Sequence, residues 1–174
     1  MLRKEFVLTE LKSRGIAFRV FDHPPVMTAD EAARIREAAG DRGRHCKNLF
    51  LTPVRRGRNE KFWLLAVPIY ARPDLKALGK RVASAKFELG GEEQLAERLG
   101  VKPGSVSPLA LVYPGAENLP LLLDSRLGTE EFISFHPGVN TSTCVLEMGE
   151  FRKFLSTLSN PVTWIDIPEQ DTRE

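Results

Sequence analysis

The stretch from His45 to Pro68 constrains this chain more than any other. Two apolar runs, HCKNLFLTP (45–53) and KFWLLAVP (61–68), flank VRRGRNE (54–60), a basic segment rich in turn formers. Strand-length apolar runs on either side of a short turn read as a hairpin. Strand side chains alternate between faces, so Lys47 shares a face with Leu49 and Leu51, while Cys46, Asn48 and Phe50 take the other. A lysine on a leucine-lined face either snorkels to water or holds an anionic or polar partner.

The rest of the chain mixes short helices with short strands. EFVLTELKSRG carries Phe6, Leu8 and Leu11 and closes on Gly15, an amphipathic helix with a glycine stop. IAFRVFDH alternates like a strand. After two prolines, Thr28 or Asp30 caps a helix that ends near Gly40. RPDLKALGKRVA and GEEQLAERLG read as helices, the second closed by Gly100. VKPGSVSPLALVYPG reads as a loop running into a strand. NLPLLLDSRL and FISFHPGVNTSTCVLEM supply more strands, the latter broken at His136-Pro137-Gly138. GEFRKFLSTL is a helix and VTWIDI a last strand. This order predicts one α+β domain over residues 1–174, built on a mixed, largely antiparallel β-sheet.

At 174 residues, with 42% hydrophobic and 28% charged side chains, the chain has enough apolar material for a sizeable core. A net charge of +2 gives no global basic field. Arg42, Arg44, Lys47, Arg55, Arg56, Arg58 and Lys61 nevertheless fall within one short stretch, and Lys76, Lys80, Arg81 and Lys86 form a second group. These groups are either solvated faces or local phosphate contacts. Cys46 and Cys144 lie in apolar runs without Cys-x-x-Cys spacing, which predicts buried, reduced thiols in a cytoplasmic protein. No run approaches membrane-spanning length, and the first fifteen residues lack a signal-peptide core.

Neither a Walker loop, a nucleophile elbow nor a Rossmann fingerprint is present. His23, His45 and His136 are scattered without ligand-spaced partners, so neither a metal nor another cofactor is expected. Three segments stand out. Lys47-Asn48 is the first. The second is KPGSVSP (102–108), where backbone N–H groups around Gly104 and Ser105 suit a carbonyl or carboxyl oxygen. The third is SFHPGVNTST (134–143), where His136 ends a strand and Pro137-Gly138 turn the chain. Taken singly, each reads as readily as plain structure.

Taken together, the K-N dipeptide, the G-x-x-x-P loop (GSVSP) and the F-H-P-x-x-N-T-x-T block resemble the YbaK/prolyl-tRNA-synthetase editing-domain family. Within it the likeness is to the free-standing trans-editing type, ProXp-ala (PrdX). FDHPPVMTADEA and LPLLLDSRL extend the resemblance over nearly the whole chain. The departures are GGEEQL, where an Ala-Ser-type loop often stands, and the surface turn LVYPGAENLP. The resemblance implies a barrel-like mixed sheet wrapped by short helices, with a cleft for an aminoacylated adenosine. It makes Lys47 the critical lysine, puts Asn48 and His136 in the same cleft, and assigns Gly104 to the amino-acid loop and Gly138 to the histidine loop. Ser105, Pro108 and Thr28 join these as expected substrate-binding positions. Arg55, Arg56, Arg58, Lys80 and Arg81 are the expected tRNA phosphate contacts. The implied activity is metal-free deacylation of proline tRNA mischarged with alanine. The alternatives are cysteinyl-tRNA deacylation of the YbaK type and a non-catalytic binder of aminoacyl-tRNA or synthetase. The implied partners are the tRNA acceptor end and either prolyl-tRNA synthetase or the elongation machinery, with no membrane.

Overall fold

The computed structural model describes residues 1–25, 29–54, 61–83 and 85–170, without the side chains of residues 29 and 32. The helices are α1 (Lys4–Ser13), α2 (Ala29–Ala38), α3 (Leu75–Ala83), α4 (Glu92–Leu99) and α5 (Met148–Ser156). The strands are β1 (Arg19–Asp22), β2 (Arg44–Pro53), β3 (Trp63–Pro68), β4 (Phe87–Leu89), β5 (Leu121–Asp124), β6 (Phe132–Phe135), β7 (Ser142–Glu147) and β8 (Val162–Ile165). They join in the order β1-β7-β6-β2-β3-β5-β8, with β4 on β2. Four pairings are antiparallel, and β2–β6, β3–β5 and β5–β8 are parallel. The fold is the expected α+β arrangement. Its sheet runs from β1 to β8 with no closing pair among the described residues. No described helix is long and apolar enough to cross a membrane.

β2 is the strand on which everything else turns. One edge pairs with β3 from Cys46 to Leu51, as the hairpin reading requires. Its other edge pairs with β6 only at Arg44 and His45, and then with β4 from Leu51 to Pro53. Between these, residues 46–50 have no strand partner on that edge among the described residues.

The two faces of β2 serve two cores. Cys46 and Phe50 join Leu64, Ala66, Leu121, Leu123, Ile133, Phe135 and Cys144 in the larger one. Leu51 joins Leu65, Val67, Leu78, Phe87 and Leu122 in a smaller one, with Leu49 packed against it. Removing some 150–250 Å² of each aromatic side chain from water makes Phe135, Phe151 and Phe154, all fully buried, the largest anchors. Both cysteines are buried free thiols. Burial raises the Cys46 thiol far above its ordinary range and pushes Cys144 up to about 12.

Three local readings need correction. The segment after Ser107 is not a strand: Pro108–Val112 is a 3-10 helix, with Pro108 in its first turn and the Ser107 hydroxyl accepting from the Leu109 N–H at 3.1 Å. β4 was not expected at all. In α1 the buried side chains are Val7 and Leu11, four apart, while Phe6 stays 42% exposed.

Candidate active site

The strand register gathers on one face what the sequence disperses. His45 pairs with Ser134, Ser134 with Val145, and Phe21 with Thr143. Paired residues share a face, and alternate residues along a strand do too. His23, Thr143, His136, Ser134, His45 and Lys47 therefore all leave the sheet on the side away from the larger core. The histidines are not scattered in space: the His136 ring centroid lies 5.9 Å from that of His23 and 6.1 Å from that of His45. Even so, no group of three or more His, Cys, Asp or Glu among the described residues is arranged to hold a metal ion.

Lys47 sits where this polar face meets the smaller core, opposite Val67. Its half-buried side chain answers the strand-face puzzle with a backbone partner, since Nζ donates to the Ala71 carbonyl at 2.8 Å. An ammonium has three N–H donors, and this bond uses one. His136 is held through Nδ1, which lies 2.8 Å from the Ser142 carbonyl. A carbonyl only accepts, so Nδ1 carries the proton and Nε2 of the neutral ring keeps its lone pair. Burial lowers the His136 pKa, partly offset by the bond to Ser142. His23 is fixed similarly, with Nδ1 2.8 Å from the Pro24 carbonyl and Nε2 2.9 Å from the Thr143 hydroxyl.

His45 is lowered to about 4, first by burial and then by the nearby charge of Arg36. Its Nδ1 is buried without a hydrogen-bond partner among the described residues. Between about pH 4 and the ordinary 6.5, the unfolded chain binds a proton at this position that the folded chain refuses. The stability contributed is thus complete above about 6.5 and is lost as pH falls through that window. Acidification from pH 7 to 5 is expected to destabilise the wild type by about 1–3 kcal/mol more than His45→Asn. Thermal midpoints at the two pH values check this, and parallel curves for the two proteins would refute it.

Asn48 behaves differently from its neighbour. It leaves β2 on the larger-core side, opposite Ala66, and its Oδ1 is buried without a partner among the described residues. Lys47 and Asn48 thus stand on opposite faces of the strand, within the stretch whose edge is unpaired.

The two remaining loops meet each other. Gly104 and Gly138 both have left-handed backbones, φ +86° and +82°, which glycine adopts without strain. A Cβ on Gly104 would lie 3.9 Å from Asn140 Nδ2, so the 102–108 loop approaches the loop that carries His136. Gly138 packs against Leu2. The expectation of free N–H groups here is corrected at Ser105: that residue is buried, and its N–H donates to the Lys102 carbonyl at 3.0 Å. Pro108 is buried in its 3-10 helix. Lys80 and Arg81 are exposed in the last turn of α3, and Arg81 donates to the Asp166 carbonyl at 3.0 Å. Thr28, Arg55, Arg56 and Arg58 lie outside the described residues. Sequence reading missed His45, although its position two residues before Lys47 places both on one face.

The site is thus a polar face that carries a lysine and a neutral histidine beside a stretch of β2 with no strand partner on one edge among the described residues. The aminoacyl-tRNA editing domain model matches residues 23–154, which include the whole of this site. This chain belongs to the aminoacyl-tRNA editing domain family. It is 26% identical to the prolyl-tRNA editing protein ProX of Acetoanaerobium sticklandii, over 94% of this chain and 97% of that protein. With the prolyl-tRNA synthetase associated domain-containing protein 1 of Danio rerio it shares 32% identity, over 92% of this chain and 85% of the relative. A solved structure described as a candidate trans-editing enzyme for prolyl tRNA synthetase has the same fold, with a TM-score of 0.69 at 23% identity, covering 98% of this chain and 99% of that one.

Proposed function

We propose that this protein hydrolyses the aminoacyl ester of mischarged proline tRNA, with alanine as the preferred amino acid and no metal ion. The observation that carries this reading is the placement of Lys47 and the neutral His136 on one face of the sheet, where β2 lacks a strand partner on one edge among the described residues. Family membership and the likeness to the prolyl-tRNA editing protein ProX support it.

The chemistry asks little of the protein. An aminoacyl ester is already activated, so catalysis consists of placing a water and steadying negative charge on the carbonyl oxygen. The N–H donors of Lys47 not engaged by Ala71 serve that oxygen. Water adds to the carbonyl carbon, the bond to the ribose oxygen breaks, and the departing oxygen takes a proton. Free amino acid and deacylated tRNA result. Nε2 of His136 accepts a hydrogen bond from the water or from the vicinal ribose hydroxyl, which orients the attack. Asn48, on the opposite face of β2, does not share the face of Lys47 and His136. A tight pocket excludes larger amino acids sterically, whereas residues differing by a methylene are separated weakly.

The deciding experiment follows deacylation of proline tRNA carrying alanine, cysteine or proline, before and after dialysis against a chelator. Fastest hydrolysis of the alanyl form, unchanged by the chelator, is expected. Preference for the cysteinyl form would move the protein to the YbaK type, and hydrolysis of none would make it a binder. Activity lost to the chelator and restored by zinc would end the metal-free mechanism.

A further inference from the structure

Beside Lys47, the outer face of the sheet opens into a pocket lined by Arg36, Arg42, Arg44, His45, Tyr70 and Glu130. Tyr70 is 69% exposed, the highest value among the large apolar side chains of the described residues. Its backbone is nonetheless fixed on both sides. The Ile69 N–H donates to the His45 carbonyl at 3.1 Å, and the Ala71 N–H to the Pro68 carbonyl at 2.9 Å. The next carbonyl along, Ala71, is the one that receives Lys47 Nζ. A bare aromatic ring is therefore held on a rigid turn, one residue from the anchor of the site lysine.

The charges of the pocket are mostly committed. Arg36 pairs with Asp41 at 2.8 Å and also donates to the Gly43 carbonyl. Arg44 pairs with Glu130 at 2.7 Å. Arg42 is exposed and has no ion pair or hydrogen bond within the described residues. One uncommitted guanidinium thus stands in the same pocket as one bare ring. Aromatic stacking combined with a cation for the backbone is how proteins hold single-stranded nucleic acid without reading its sequence.

We propose that this pocket holds the nucleotide preceding the aminoacylated terminal adenosine, the second cytosine of the tRNA CCA end, with its base on Tyr70 and its phosphate on Arg42. The proposal rests on the tRNA reading of the Lys47 site, because a strand whose ester lies at Lys47 can continue directly past Tyr70.

The test is fluorescence anisotropy of a labelled ACCA ribonucleotide carrying no amino acid, with the full chain. Tyr70→Ala is expected to weaken binding about 5- to 100-fold, and Tyr70→Trp to retain it. Arg42→Ala should weaken it and reduce the salt slope by about one. Both side chains are exposed, and a thermal midpoint confirms that each variant folds. Absence of binding by the wild type, unchanged affinity in Tyr70→Ala, or competition by polyglutamate as effective as unlabelled ACCA overturns the proposal. A second measurement separates it from the proposed activity. Tyr70→Ala should raise KM for alanyl-tRNA while sparing kcat, and should leave hydrolysis of 3′-O-alanyl-adenosine, which lacks the second nucleotide, unaffected. Tyr70-dependent binding by a protein that deacylates nothing would keep the pocket and retire the hydrolase. Normal deacylation with Tyr70-independent binding would do the reverse.

Discussion

Lys47→Ala is expected to lower kcat/KM for alanyl-tRNA by about 10²–10³-fold while leaving the fold intact. The magnitude is that of removing one preorganised donor to a developing oxyanion. The fold survives because the side chain is half-buried and makes one hydrogen bond, to the Ala71 carbonyl. Water can reach that carbonyl once the ammonium is gone, which keeps the loss small. Lys47→Met is the sharper variant, since it keeps the apolar stem beside Leu49 and removes only charge and donors. Deacylation of alanyl-tRNA and thermal midpoints should be measured together. Near-normal hydrolysis would remove Lys47 from the chemistry, and a large drop in midpoint would make it a clasp for the turn at Ala71.

Asp41→Ala is expected to cost about 3–5 kcal/mol of stability. The carboxylate is fully buried and accepts from Arg36 Nε at 2.8 Å and from the Gly43 N–H at 2.7 Å. The Ser134 hydroxyl lies 3.0 and 2.9 Å from its two oxygens. It thereby ties α2, the entry to β2 and β6 at the edge of the histidine face. Its removal leaves the guanidinium of Arg36, only 16% exposed, without its counter-charge. Against the roughly 5–15 kcal/mol that holds an ordinary domain together, that is about a fifth of the total or more. Urea unfolding with an unchanged m-value checks it, and a loss below about 1 kcal/mol would mean that Arg36 finds water.

How much of this was legible in the sequence depended on how local the cause was. The β2–β3 hairpin and the face of Lys47 follow from alternation within single runs, and both hold. The family motifs lie in contiguous segments and were readable together. Leu109–Val112 looked like a strand because a short apolar run buried all round carries no period. Pro108 and the Ser107 cap decided it. β4 is three residues long and exists because β2 offers it an edge. The histidine cluster needs the chain of pairings β1–β7–β6–β2, which no single segment encodes. Nor does anything in VPIYARP announce that Tyr70 stays bare.

The bare edge of β2 has one more consequence, for self-association. Residues 46–49 take no strand partner on this edge among the described residues, which leaves the stretch open to a strand from another molecule. Natural edges are blunted by charge, lysine above all, and Lys47 sits within this one. Around it the stretch is Cys46, Asn48, Leu49 and Phe50, apolar enough to favour pairing. The Lys47 ammonium keeps the opening unattractive to a second copy of the chain, whatever else it binds. A neutral residue at this position would therefore raise the tendency to self-associate, an effect that needs no substrate to be present.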